Sequence, residues 1–226
     1  SFVNDITIHI ALNQFFANKL IRSGIPNENI RICGNFVINF TDKLTLKKPY
    51  FLFLGRLSPE KGLFTLLKAA QQTNYQIKIA GAGPLEIEIK QYITENNLKN
   101  ITFVGYAEGA LRIKLIQNAL AVVVPSLWYE SFALAAAEAQ ALGTLVIASK
   151  IGGLPEVVSH GKGGYLFQPG NVNELIDLLS RIANSPNLSM RLANSALYDA
   201  KEKFNPENHL KLLVDIYKEA ILKFQN

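Results

Sequence analysis

Cysteine is nearly absent from the sequence: Cys33 is the only one, so the chain contains no internal disulfide. A single thiol fits a reducing compartment, where disulfides are rare. Dense runs of lysine and arginine are also absent, although the formal net charge is +5, so we expect no nucleic-acid partner. The positive surplus leaves two interpretations open. In the first, a basic surface binds a phosphorylated substrate or an anionic membrane. In the second, the surplus comes only from scattered lysines that keep the chain soluble.

Long apolar runs are missing as well. The most apolar stretch, Phe132 to Ala148, is interrupted by Glu138 and Gln140 and is too short for a membrane span. Residues 1–5 lack the basic and apolar blocks of a signal peptide. We therefore expect a cytoplasmic chain, with peripheral contact at the inner membrane face left open.

Short apolar runs alternate with longer amphipathic ones from Tyr50 onward. With 49% hydrophobic and 18% charged residues over 226 positions, the chain has the composition of a globular protein with a sizeable core. The repeated strand–helix order predicts an α/β fold, a Rossmann-like, mainly parallel sheet with helices on both faces. The predicted strands cover 50–54, 77–80, 101–104, 121–124, 145–148 and 165–167, and the predicted helices cover 62–73, a segment entered at Pro84, 108–119 and 132–142.

The two ends of the chain depart from this alternation. Residues 1–46 hold one helix-like segment, Asn13 to Ser23, and one short apolar stretch, Ile30 to Ile32, which is too little for a separate core. A last amphipathic helix opens at Asn205-Pro206. We therefore expect three parts, at 1–46, 47–204 and 205–226.

The loop after the first predicted strand, Gly55 to Gly62, is unusually cationic. Arg56 offers a planar fork suited to a phosphate, and Lys61 adds a compact charge where a helix begins. A cation at a helix N-terminus is unfavourable unless an anion lies there too. The loop is compatible with a phosphate site, but taken alone it favours two solvated surface charges around an ordinary loop.

The loop after the second predicted strand is rich in glycine. Gly81 and Gly83 resemble the start of a dinucleotide fingerprint, but Glu86 stands in place of the third glycine and Pro84 interrupts the motif. A lone Gly-x-Gly is weak evidence for a cofactor site. It predicts a close backbone approach in a strand–helix turn near a ligand.

Two glutamates follow the strand at 121–124. Glu130 stands at a helix entrance, and Glu138 lies within an otherwise apolar helix, where a buried carboxylate without a partner would be costly. Along a helix their spacing corresponds to about 12 Å, too far for both to act on one atom and suited to the two ends of an extended ligand. Free amides near Phe132 to Leu134 would offer an anion site between them. Alternatively, Glu130 is only a favourable charge at a helix N-terminus.

Taken in order, these motifs resemble family-four retaining glycosyltransferases. The resemblance covers roughly residues 25 to 224. It implies a GT-B fold, of which this chain would be the C-terminal, donor-binding domain, with residues before about 40 left from the N-terminal domain. The segments that carry it are 55–62, 81–84, 103–105, the pair Glu130 and Glu138, 152–156 and 163–167 followed by a helix.

The resemblance also implies a role for each site residue. Arg56 and Lys61 would neutralise the diphosphate in place of a metal, so no metal or other cofactor is expected. Glu130 would hold the transferred sugar, and Glu138 the ribose. Ala133 stands where the family has glycine. The remaining donor contacts would come from Gly55, Gly81, Gly83, Gly105 and Tyr106 toward the nucleotide and from Ser131, Phe132, Ala133 and Leu134 toward the distal phosphate.

The predicted function is transfer of a hexose from a nucleoside diphosphate sugar, with a UDP-sugar as donor, to a glycan or lipid-linked acceptor in polysaccharide or glycoconjugate synthesis. The acceptor would be held by the absent N-terminal domain, so the chain by itself would be inactive. Two alternatives remain on a Rossmann-like sheet: a nucleotide-dependent oxidoreductase and a non-catalytic nucleotide-binding module. The residues themselves name neither the base, the sugar nor the acceptor.

Overall fold

The computed structural model describes residues 6–225, so the predicted features of residues 1–5 lie outside the described part. Its strands form a six-stranded sheet and a separate two-stranded sheet. The strands are β1 (His9–Ala11), β2 (Ile30–Ile32), β3 (Tyr50–Leu54), β4 (Gln76–Ala80), β5 (Ile101–Gly105), β6 (Ala121–Val124), β7 (Val146–Ser149) and β8 (Gly164–Phe167). The helices are α1 (Gln14–Arg22), α2 (Leu63–Gln71), α3 (Glu86–Glu95), α4 (Gly109–Asn118), α5 (Leu134–Ala141), α6 (Leu154–Val157), α7 (Val172–Ala183), α8 (Pro186–Lys203) and α9 (Pro206–Gln225).

The large sheet is parallel throughout, in the order β5-β4-β3-β6-β7-β8. Every residue of its central strand β3 is buried, which explains why that strand is apolar along its whole length. The predicted α/β fold with a mainly parallel sheet is therefore confirmed.

Helices cover both faces of this sheet. On one face, Ile116 of α4 and Ala137 of α5 are fully buried in one apolar cluster. On the other, Leu66 of α2 and Leu179 of α7 are fully buried in a second cluster. Burying one such leucine contributes about 1.5–3 kcal/mol, so these two clusters hold the helices against the sheet.

The strand order reverses at the centre of the sheet. From β3 the chain moves outward through β4 to β5, and it then returns to β6 on the other side of β3 and moves outward again. The connections therefore leave the carboxyl ends of β3 and β6 in opposite directions. A crevice forms at such a point, where parallel sheets bind their ligands.

The N-terminal segment forms a small β1–α1–β2 unit of its own. His9 pairs with Ile30 in a parallel two-stranded sheet, and a minor cluster that includes Ala17 and Ile25 packs beneath it. The predicted helix and the stretch at Ile30 to Ile32 are confirmed. The structure does not test the division of the chain into residues 1–46, 47–204 and 205–226, which stays a prediction.

Some elements differ from the predicted pattern. Helix α5 begins at Leu134, after the predicted start at residue 132, because Ala133 has a left-handed backbone that precedes the first helical turn. Strand β1 and helix α8 were not predicted: β1 has three residues, too few for a periodic pattern, and α8 follows α7 after a short break at Asn184 and Ser185. None of the helices in residues 6–225 combines the length and apolar character needed to cross a bilayer.

Lys47 joins the segment before β3 to the ends of two helices. Its Nζ donates hydrogen bonds to the carbonyl oxygens of Gln117 (2.7 Å) and Gly143 (2.8 Å) and to Thr144 Oγ1 (2.7 Å). Gln117 lies in the last turn of α4 and Gly143 just beyond α5, where a cation complements the helix dipoles. Burial lowers the pKa of Lys47 to about 8.

The lowered pKa predicts a pH-dependent contribution from Lys47. Unfolded lysine has a pKa of roughly 10.4, so between about pH 8 and pH 10 the unfolded chain binds more protons and stability at this site rises with pH. Lys47→Met removes this contribution. The free energy of unfolding of the wild type minus that of the variant should therefore increase from about pH 8 to about pH 10, measured by denaturant titration. Lys48→Met, on an exposed neighbour, is the matched control. A pH-independent difference for Lys47→Met would contradict the prediction.

Candidate active site

A pocket of about 360 Å³ opens at the point where the strand order reverses. Its walls are the carboxyl ends of β3 and β6, the loops that follow them and the first turn of α5. The predicted site residues that line it are Gly55, Arg56, Lys61, Glu130, Ser131, Phe132, Ala133 and Leu134. Segments far apart in the sequence are thus brought to one place.

A second pocket of about 230 Å³ adjoins the first and shares Gly55 and Arg56 with it. Gly81 and Tyr106, predicted to contact the nucleotide, line this second pocket. Gly105 lies at the end of β5, where its carbonyl oxygen accepts a hydrogen bond from the Gly81 N–H at 2.8 Å. The two pockets together form an elongated depression across the ends of the central strands.

Close backbone approach explains the glycines of the second loop. A Cβ on Gly81 would lie 1.9 Å from the carbonyl oxygen of Gly55, and one on Gly83 would lie 2.4 Å from that of Leu57. Neither distance is possible for a side chain, so the loop after β4 packs directly on the loop after β3. Gly83 is therefore explained by packing, whereas Gly81 both packs and lines a pocket.

Glu130 is held by two donors at the wall of the first pocket. Lys61 Nζ donates to Glu130 Oε1 at 2.7 Å, and the hydroxyl of the buried Ser126 donates to the same oxygen at 2.6 Å. The Glu130 side chain is 13% exposed, so its orientation is well determined. The structure thus joins two residues that the resemblance assigns to different parts of the donor. Ser126 had no sequence signal beyond its place after a buried strand.

Arg56 presents its charge to both pockets. Its side chain is exposed, and within residues 6–225 it forms no hydrogen bond or ion pair. Nearby, the pKa of Glu60 is lowered, first by a hydrogen bond from the Ser58 hydroxyl and more weakly by the charges of Lys61 and Arg56. Arg56 therefore places a positive charge, unpaired within the described residues, where the two pockets meet.

The first turn of α5 lines the same pocket. Leu134 and Ala135, in the first turn, line the pocket, and amides of a first turn have no partner within the helix. Ala133 precedes them with φ 55° and ψ 65°, a left-handed conformation that is costly for a residue with a Cβ. The turn thus keeps the geometry that glycine would favour although alanine occupies it.

Glu138 lies about one turn beyond the start of α5 and forms an ion pair with Arg112 of α4. Arg112 Nε donates to Glu138 Oε2 at 3.0 Å, and Nη2 donates to the same oxygen. Arg112 lines both pockets, whereas Glu138 is absent from the lining of either within the described residues. Arg112 was not predicted, because a single arginine in an amphipathic helix has no distinguishing pattern.

The N-terminal unit is fastened to α6 and to the loop that carries Glu130. The Glu156 carboxylate accepts hydrogen bonds from the N–H groups of Gln14 (2.9 Å) and Phe15 (2.8 Å), capping α1. The Asn13 side-chain amide donates to the Ser131 carbonyl oxygen. Asn35, beyond β2, lines the first pocket. The segment before β3 therefore belongs to the site, which the sequence pattern did not indicate.

Comparison with known proteins decides the family. A family model described as glycosyl transferases group 1 matches residues 38–197, more than half of the chain. The chain belongs to this family. A glycosyltransferase of Methanocaldococcus jannaschii is 31% identical over 90% of this chain and 54% of its own length. The O-antigen chain mannosyltransferase C of Escherichia coli is 27% identical over 76% of this chain and 47% of its own length.

Solved structures of glycosyltransferases share the fold. The chain matches S. aureus TarM, in a structure with UDP, at a TM-score of 0.86 and 24% identity, over 95% of this chain and 44% of that one. It matches Anabaena HepE, in a structure with UDP and glucose, at 0.83 and 23%, over 94% of this chain and 63% of that one. The expected glycosyltransferase family and the expected fold, that of the C-terminal part of GT-B enzymes, are both confirmed. The group 1 chain spans about half the length of the relatives it matches.

The left-handed Ala133 predicts a stabilising substitution in this group 1 chain. A left-handed backbone costs a residue with a Cβ roughly 1–2 kcal/mol, and part of that is lost again to the greater freedom of unfolded glycine. Ala133→Gly should therefore raise the free energy of unfolding by roughly 0.5–1 kcal/mol in denaturant titration. Ala135→Gly, in the helical first turn, is the matched control and should lower it by roughly 0.5–1 kcal/mol. A loss of stability in both variants would show that Ala133 is not strained.

Proposed function

We propose that this chain is the donor-binding half of a retaining glycosyltransferase that transfers a hexose from a nucleoside diphosphate sugar, with a UDP-sugar as donor. The observation that carries the proposal is the depression where the strand order reverses, in which Arg56, Lys61 and the N-terminus of α5 converge beside Glu130. Two cations and a helix N-terminus form a site for a diphosphate. Glu130 adds the hydroxyl acceptor that a sugar requires.

The diphosphate occupies the first pocket in this proposal. The exposed guanidinium of Arg56 contacts both pockets and offers a fork to phosphate oxygens. Lys61 lies deeper, and the amides of Leu134 and Ala135 face the distal phosphate. These groups supply the positive potential that a leaving diphosphate needs, so the reaction is proposed to require no metal ion or other cofactor.

The transferred sugar lies against Glu130. The hydrogen bonds that hold this carboxylate within residues 6–225 both end on Oε1. Its Oε2 is thereby the oxygen offered to sugar hydroxyls. Lys61 bridges the two parts of the donor, since it contacts Glu130 and lines the phosphate pocket.

The nucleoside lies toward the second pocket, with the base near Gly105 and Tyr106 and the ribose near Glu138. Tyr106 is 70% exposed and lines that pocket, so its ring is free to meet a base. A base contact made by backbone and an exposed ring gives little discrimination among bases. Uridine is therefore proposed from the family resemblance and not from the pocket.

Catalysis in this arrangement rests on position and charge. The bond from the anomeric carbon to the diphosphate oxygen breaks, and the acceptor hydroxyl oxygen bonds to the same face of that carbon. The hydroxyl proton passes to the departing phosphate oxygen. Arg56 and Lys61 stabilise the negative charge that develops on the leaving group, while Glu130 fixes the sugar.

The acceptor is proposed to bind mainly to the part of the protein that this chain does not cover. The chain spans about half the length of its relatives. GT-B enzymes form their cleft between two domains, and in this proposal the depression is one wall of that cleft. A glycan or lipid-linked acceptor, in a cytoplasmic enzyme that contacts the inner membrane face peripherally, is the proposed partner. The chain alone is expected to bind donor and to transfer little or no sugar.

The alternatives considered from the sequence are less well supported. A nucleotide-dependent oxidoreductase would use a third glycine where Glu86 stands and would carry its fingerprint on the first strand of the sheet. A non-catalytic module has no need to keep Glu130 oriented by Ser126 and Lys61. Family membership also favours the transferase.

Nucleoside diphosphate binding tests the proposed function. Calorimetry should detect UDP binding that persists in a chelator of divalent metals. Arg56→Ala or Lys61→Ala should weaken it by roughly 1.5–3 kcal/mol, the scale of a charge-assisted hydrogen bond, and leave uridine nearly unaffected. Arg191→Ala, an exposed arginine on α8, is the control for general loss of charge. Affinity that vanishes in chelator and returns with manganese would contradict metal independence.

The two glutamates should have different effects on ligand binding. Glu138→Ala should weaken uridine, UDP and UDP-sugar alike, because each contains the ribose. Glu130→Ala should leave UDP binding intact or tighten it, because Lys61 is released from its ion pair and a negative charge near phosphate disappears.

Kinetics of the full-length protein complete this comparison. Glu130→Ala should lower kcat more than donor affinity, because contacts to the sugar count most when it gains positive charge. Glu60→Ala, on the neighbouring exposed loop, serves as a control. Identical defects from Glu130→Ala and Glu138→Ala with every ligand would mean that the pair is structural.

A further inference from the structure

Arg112 occupies a place between the two pockets that no sequence motif indicates. It projects from α4 and lines the pocket proposed for the diphosphate as well as the one proposed for the base. Ribose connects these two parts of a nucleotide, so the wall that Arg112 forms is the wall that the ribose would meet. Glu138, the carboxylate expected to bind the ribose, is hydrogen-bonded to Arg112 just outside that wall.

The geometry of the Arg112–Glu138 pair is directional. Nε and Nη2 both donate to Glu138 Oε2, so the fork holds one carboxylate oxygen, and the hydrogen bonds found within residues 6–225 leave Oε1 unengaged. The two side chains are 32% and 28% exposed. A fully solvated surface pair stabilises a protein little, but this pair is partly buried and its Arg112 member forms part of the wall of both pockets. Orientation therefore matters more here than stability.

We propose that Arg112 is a positioning residue for the nucleoside: it orients the Glu138 carboxylate so that Oε1 accepts a hydrogen bond from a ribose hydroxyl. This inference rests on the proposed function and adds to it the residue that makes Glu138 effective. Arg112 acts here through two N–H donors that converge on one carboxylate oxygen, and not through its charge alone. Lysine, with a compact point charge, cannot reproduce that fork.

The proposal makes a distinction between ligands with and without ribose. In the full-length protein, calorimetry with UMP should show a loss of roughly tenfold or more for Arg112→Lys, Arg112→Gln and Glu138→Gln, the scale of one charge-assisted hydrogen bond. Binding of inorganic pyrophosphate should change by less than about twofold for Arg112→Lys, since the charge is kept. Because positioning acts through Glu138, Arg112→Lys should have no further effect on UMP in a Glu138→Gln background.

Lys114 supplies the matched control. It lies on the same helix and is exposed, so Lys114→Gln removes one charge from α4 without touching the pair and should leave both ligands unaffected. Thermal unfolding of every variant checks that the fold is retained. Wild-type affinity for UMP in Arg112→Lys would overturn the inference, and so would an undiminished Arg112→Lys effect in the Glu138→Gln background. A wild-type protein that binds none of UDP, GDP and ADP would instead overturn the proposed function itself.

Discussion

The reversal of strand order between β3 and β6 is the constraint on which the rest of the site depends. Neighbouring strands whose connections run the same way have their carboxyl ends covered by the next helix, but at β3 and β6 the connections diverge and leave the ends open. The first residues beyond each strand, Gly55 and Pro125, line the opening. A buried apolar sheet thus places polar side chains at the carboxyl ends of its two central strands.

Charged side chains at these strand ends form ion pairs that join different elements. Lys61 and Glu130 join the loops after β3 and β6, and Arg112 and Glu138 join α4 and α5. Each pair lowers the cost of holding ionised groups near an apolar core. Arg56 differs, because it has no hydrogen-bonded partner within residues 6–225 and is therefore the cation most available to an incoming anion.

Much of the fold and part of the site followed from the sequence for physical reasons. The fully buried strands are apolar along their length and were predicted as strands. The loop residues Arg56, Lys61 and Glu130 contrast with the strands before them, and the structure brings these three candidate residues to one pocket. Arg112 and Ser126 were missed because their importance arises from partners distant in the chain, and no local periodicity encodes a partner. The start of α5 was misplaced because alanine ordinarily continues a helix, whereas Ala133 is held left-handed.

The contacts between the N-terminal unit and the Glu130 loop have a mechanical consequence. Glu156 grips the first amides of α1, and Asn13 at the same helix end reaches the Ser131 carbonyl. Ser131 is the chain neighbour of Glu130, and Gly153, just before α6, donates its N–H to the Glu130 carbonyl oxygen at 2.8 Å. The N-terminal end of α1 is therefore tied to the Glu130 backbone directly through Asn13 and indirectly through α6. A rotation of the small β1–α1–β2 unit would therefore have to break these hydrogen bonds or carry the backbone beside Glu130 with it.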